Sequence, residues 1–115
     1  MMSLTKKALL ENMINAADAP HKLGEFFGMA LFCKKMSELK RSRRASSMFT
    51  KEGEISDNYR EKARVYTVID HVCDEEGKLL FTEKDIPSLM ELQSDVLDTL
   101  SEAIAEWAAG DEKND

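Results

Sequence analysis

From Ser94 to Ala109 the apolar residues Val96, Leu97, Leu100, Ala103, Ile104, Trp107 and Ala108 recur at three- and four-residue spacing, the period of a helix with one apolar face. Such a helix draws most of its stability from packing, so a second layer must cover the stripe. The 115-residue chain offers one candidate for that layer. A helix capped by Ser56 or Asp57 and running to about Val72 carries Tyr59, Ala63, Tyr66 and Ile69 on one stripe, with Val65, Val68 and Val72 beside it. A stripe that wide implies a central, largely buried helix. Leu97, Leu100, Ile104 and Trp107 are expected either to pack on Tyr59, Tyr66 and Ile69 or to line a groove for a partner's helix.

The remaining elements follow from local chemistry. Ser3 to Asp18 reads as a first helix, capped by Ser3, with Ala8, Leu9, Met13, Ile14 and Ala17 at near-helical spacing. Asp18-Ala-Pro20 stops it. Leu23 to Met36, with Phe26, Phe27, Met29, Leu31, Phe32 and Cys33, reads as a strand pair turning near Gly28 or as a buried helix segment; a short apolar run leaves both open. Ser37 caps a polar helix to Met48 with a thin apolar face, and Thr50 to Glu54 is a loop. Asp74-Glu-Glu-Gly77 is a tight turn, and Lys78 to Phe81 a brief extended piece. Thr82 and Asp85 have capping-box spacing, and Pro87 suits the first turn of a helix. A short helix is expected around Leu89 to Leu92. Ser94 is expected to cap the last helix and Gly110 to end it, leaving a polar tail at 111–115. The fold class is α+β, predominantly α-helical: four or five helices and a small N-terminal strand or hairpin element, in a single domain over 1–110.

Composition agrees. Five glycines and two prolines are too few for a turn-rich sandwich or barrel. No apolar run nears the roughly 18 residues of a membrane span, and the N-terminus lacks a cleavable signal pattern, so a cytoplasmic protein is expected. Cys33 and Cys73 form no CxxC and are expected as small buried residues rather than a disulfide. The net charge of −6 is unevenly spread. Residues 1–51 carry ten Lys/Arg against four Asp/Glu, and residues 52–115 carry six against eighteen. Such a chain either neutralises itself within the fold or attracts copies of itself head to tail.

Catalytic and metal chemistry find little support. With Gly77 sixth in a calcium loop, Asp74, Glu76 and Glu83 fall at liganding positions, but Val72 occupies the first. His71 and Cys73 are two soft ligands where zinc needs three or four. No Gly-rich phosphate loop or nucleophile elbow occurs, and neither cysteine has a base in a local signature. The reading is a non-enzymatic protein with no cofactor or metal. A sharper competitor is nucleic-acid or regulatory binding through the basic cluster Lys40, Arg41, Arg43 and Arg44, flanked by Lys34, Lys35 and Lys51. Helical winding spreads those charges, and the aromatics lie upstream in the strand-like run. Five methionines beyond the first two suit either core filling or an adaptable binding surface.

Three segments, in this order, carry a resemblance to a known family. They are Ala30-Leu-Phe-Cys-Lys-Lys-Met-Ser37, then Val68-Ile-Asp-His-Val-Cys-Asp-Glu-Glu-Gly-Lys-Leu-Leu-Phe81, continuing into Thr82-Glu-Lys-Asp-Ile-Pro-Ser-Leu89 and the Leu92 to Ile104 helix. Over roughly Ser3 to Ala109 the chain resembles the tail assembly chaperones of long-tailed, non-contractile bacteriophages and prophages. Members often carry Trp-Gly in the strand region, where this chain has Phe27-Gly28. The resemblance implies a chaperone that coats the tape measure protein until tail tube subunits polymerise around it. It implies self-association, action in the host cytoplasm and absence from the mature virion. It also implies that this is the short form of a protein that frameshifting can lengthen. Lys40, Arg41, Arg43, Arg44, Leu97, Leu100, Ile104 and Trp107 are the candidate partner-binding or self-association residues.

Overall fold

In the computed structural model, which describes residues 5–113, the chain runs α1 (Lys6–Asp18), β1 (His21–Phe26), β2 (Met29–Cys33), α2 (Glu38–Met48), α3 (Asp57–His71), β3 (Val72–Cys73), α4 (Ile86–Met90) and α5 (Ser94–Lys113). A single 3-10 turn, Glu83–Asp85, leads into α4. The architecture is α+β and predominantly helical, with a small three-stranded antiparallel sheet.

The two apolar stripes meet. Val65, Tyr66, Val68 and Ile69 of α3 and Val72 of β3 form one core cluster with Leu97, Leu100 and Ile104 of α5 and Leu89 of α4, and Tyr59 and Trp107 pack at its margin. Each aliphatic side chain buried there contributes about 1.5–3 kcal/mol relative to exposure. The start of α3 is fixed by Ser56, whose Oγ accepts a hydrogen bond from the Tyr59 N–H at 3.1 Å.

The 23–36 segment is a strand pair, not a helix. Its loop is two residues long, and Phe27 (φ 53°) and Gly28 (φ 79°) are both left-handed, the conformation that matches the twist of a tight hairpin. Between Lys22 and Gly24 the register slips, leaving Leu23 as the extra residue of a bulge. The slip puts Gly24 opposite Leu31 and Phe26 opposite Met29, while Lys22 and Glu25 stand opposite Phe32 and Ala30. Gly24 has φ 148°, and a Cβ there would lie 3.2 Å from the Phe26 ring, so the bulge requires glycine. The strand β3 continues α3 directly and pairs Val72 with Cys33 and Cys73 with Phe32. This ties the end of the central helix to the hairpin.

Most caps stand where sequence places them, and four boundaries differ. The first helix begins at Lys6, with Thr5 Oγ1 accepting from the Ala8 N–H at 3.0 Å; Ser3 lies outside the described residues. The short fourth helix starts at Ile86 rather than Leu89, because the capping box at Thr82 and Asp85 is followed at once by Pro87 in the first turn. Ser94 is the first residue of α5 rather than its cap, since the Gln93 carbonyl accepts the opening bonds from the Val96 and Leu97 N–H groups. Gly110 does not end α5, which runs to Lys113. A glycine inside a helix costs about 1 kcal/mol but leaves backbone bonding possible. Asn114 and Asp115, the end of the expected tail, lie outside the described residues.

A candidate protein-binding surface

The basic cluster divides by helical spacing. Lys40 and Arg44, four residues apart on α2, face the central helix, where Asp70 is only 4% exposed. Arg44 grips this carboxylate with two bonds, Nε to Oδ2 at 2.8 Å and Nη2 to Oδ1 at 3.0 Å. Lys40 Nζ approaches Oδ1 at 3.7 Å. The Arg44 guanidinium also lies over the Tyr66 ring, 4.1 Å from its centroid, and Tyr66 stacks on Tyr59 at 5.5 Å. Hydrogen bonding to Asp70 raises the Arg44 pKa further, while burial lowers that of Lys40 against the pull of Asp70. Arg41 and Arg43 are exposed. The cluster is therefore a structural latch on one side and a two-arginine surface on the other.

Asp70 is the functional partner that sequence reading missed. Its signal was available: an acid inside an apolar helix stripe, between Ile69 and Val72, demands a buried cation. Of the second candidate group, Leu97, Leu100 and Ile104 belong to the core cluster, so their stripe is occupied by α3 and forms no open groove. Trp107 is half-buried, its ring 6.0 Å from that of His21.

Uncovered apolar surface lies elsewhere. On α1, Leu9, Leu10, Met13 and Ile14 are 46–57% exposed, and among the described residues this helix has no extensive packing on another element. The hairpin tip presents Phe27 and Met29, and Leu39, Leu80 and Leu92 are also exposed. The whole surface measures 8733 Å², against about 6,300 Å² for a compact monomer of this mass. The radius of gyration, 16.2 Å, exceeds the about 13 Å of a compact domain of this size.

Between α2 and residues 79–83 lies an open cleft of about 400 Å³. Ile69, Leu79 and Phe81 line its apolar side, Lys40, Arg43 and Arg44 its cationic side. Glu83, on the rim, reaches Arg44 at 3.5 Å. The Asp74 turn uses its acid internally: Oδ1 accepts from the Glu76 and Lys78 N–H groups, both at 2.9 Å. These backbone bonds, that of Lys78 foremost, lower the Asp74 pKa. Cys33 and Cys73 are buried and unbridged. Burial, with Cys73 nearby, pushes the Cys33 thiol up to about 11, the opposite of an activated nucleophile. Among the described residues no three His, Cys, Asp or Glu side chains gather as a metal site, and no helix is long and apolar enough to cross a membrane. No family model, curated protein or solved structure matches the chain.

Proposed function

We propose that this chain is a tail assembly chaperone of a long-tailed bacteriophage or prophage, a non-catalytic subunit that coats the tape measure protein in the host cytoplasm and helps recruit tail tube subunits. The observation that carries the reading is α1: a 13-residue amphipathic helix whose Leu9, Leu10, Met13 and Ile14 are left exposed, whereas the stripes of α3 and α5 pack on each other. A client that is itself a long amphipathic helix would pack on such a stripe by ordinary helix-on-helix contact. The surplus of roughly 2,400 Å² over a compact monomer supports a protomer that is covered by partners, since a standard contact takes about 800 Å² from each side. Many such contacts along one client give avidity while each remains easy to displace.

The basic cluster lends less support to nucleic-acid binding than its sequence suggests, because Asp70 engages Lys40 and Arg44 and leaves Arg41 and Arg43 to meet phosphates. The test is mass measurement by light scattering with a helical tape-measure fragment. A stable complex is expected, weakened about tenfold or more by combining Leu10→Glu with Met13→Glu, which removes two apolar anchors and buries charge in the contact. No complex, or a complex indifferent to that pair of substitutions, overturns the reading.

A further inference from the structure

The cleft between α2 and residues 79–83 asks for a ligand with an apolar group and a carboxylate. Its floor is Leu79 and Phe81, both half-buried, and Arg43 stands on its cationic wall. Arg44 and Lys40 are committed to Asp70. Arg43 is in no ion pair among the described residues, in a chain with six more acids than bases.

The same chain carries a matching group. At the turn from α4 to α5, Leu92 is 42% exposed, with the exposed acids Glu91 before it and Asp95 after it. The turn is held closed by the Glu91 N–H donating to the Ser88 carbonyl and the Leu92 N–H to the Leu89 carbonyl. Little ordering entropy is therefore left to lose on docking.

A protomer does not fill its own cleft with this turn. Leu92 lies with Arg60, Ala63 and Arg64, on the first half of α3, whereas the cleft is built at Ile69 and Asp70. Six or seven helical residues separate the two places by about 10 Å along the axis.

We infer that the cleft is the acceptor for the α4–α5 turn of a second copy of this chain, Leu92 packing on Leu79 and Phe81 while Glu91 and Asp95 meet Arg43. Cleft and turn are different surfaces, so the contact is heterologous, and each copy that docks presents a fresh turn or cleft to the next. The spare surface accommodates this: two faces of about 800 Å² still leave part of the roughly 2,400 Å² surplus for a client. The inference rests on the coating role in the proposed function, which sets copies of the chain side by side, and gives their contact a geometry.

The test is charge reversal with restoration, read by sedimentation or light scattering over a concentration series at low salt. Arg43→Glu alone, and Glu91→Lys with Asp95→Lys alone, should each weaken association about tenfold, attraction becoming repulsion. The three substitutions together should restore it, which also shows that the weakened variants are folded. A protein that stays monomeric throughout, or association indifferent to either reversal, overturns the contact; so does a combination that fails to recover. Association retained in Arg43→Glu, with binding of an oligonucleotide lost, would place a phosphate backbone in the cleft and overturn it too. Capture of a tape-measure fragment by a strict monomer removes this contact and leaves the client reading standing; restored assembly without any affinity for that fragment does the reverse.

Discussion

At Asp70 a carboxylate sits among the buried residues Val65, Tyr66, Val68 and Ile69 of the same helix, and it is tolerable there because Arg44 supplies two hydrogen bonds and Lys40 a further charge. The balance is one-sided. A buried pair adds modest net stability when complete but costs heavily when half of it is removed. Asp70→Ala strips Arg44 of its main acid and is expected to lower stability by about 3 kcal/mol, the low end of the range for buried pairs because Arg44 is partly exposed. Urea denaturation measures this, and a change below about 1 kcal/mol would reduce the latch to an ordinary surface pair. Cys33 gives a pH prediction. Its thiol is held near 11 in the fold against 9.0 for an ordinary cysteine. Between those values the unfolded chain loses a proton that the folded chain keeps, so stability falls as pH rises. The expected loss from Cys33 is about 2–3 kcal/mol by pH 11, and Cys33→Ala removes that share while the buried Cys73 thiol, also pushed up, keeps its own. Paired melts of the two proteins from pH 8 to pH 11 check it.

The hairpin shows strain and purpose at the scale of an element. Phe27 takes the first left-handed position of the turn (φ 53°), where a residue with a Cβ pays about 1–2 kcal/mol, and its ring recovers little of that, being 62% exposed. Phe27→Asn creates the Asn-Gly pair that this turn prefers and is expected to stabilise the fold by about 1 kcal/mol. If the ring serves the client, the same substitution weakens capture of a tape-measure fragment. A thermal melt and a binding titration on one variant separate the two effects, and a stabilised protein with unchanged capture would assign Phe27 to neither client nor core. What was legible in the sequence follows from the range of the chemistry involved. Caps at Ser37, Ser56 and Thr82, the stop at Asp18-Ala-Pro20 and the turn at Gly28 are local, each decided within about four residues. The bulge at Leu23 depends on what β2 places opposite it, and the Arg44–Asp70 pair joins residues 26 apart, so neither shows in a local pattern. The α5 stripe showed that Leu97, Leu100 and Ile104 needed a cover without saying whether α3 or a partner supplied it. For α1, Leu9, Leu10, Met13 and Ile14 stay exposed in the fold.

The molecule as a whole separates its charges as well as its apolar surface. Among the described residues, Lys40 and Arg44 join the basic front of the chain to its acidic back, both meeting α3 or the residues after it, while Arg41 and Arg43 stay on the surface of α2 and Glu102 and Glu106 on that of α5. Internal neutralisation is therefore partial, and under the proposed self-association the remaining charges would draw copies together most strongly at low salt. If such copies line a client through α1, the coat has a countable consequence. Each protomer covers a fixed length of client, set by its own dimensions of 52 × 43 × 29 Å. At 1.5 Å per residue a client helix of about 30 residues spans the middle dimension of one protomer. The number bound should then rise in proportion to fragment length once the fragment exceeds that size. Light scattering on tape-measure fragments of one, two and three such lengths reads the count directly. Proportional masses are what a coat requires, because each added stretch of apolar stripe admits another α1. A mass that stays at one protomer per fragment, whatever the length, would mean a single recognition site on the client, and a chain that marks its partner instead of covering it.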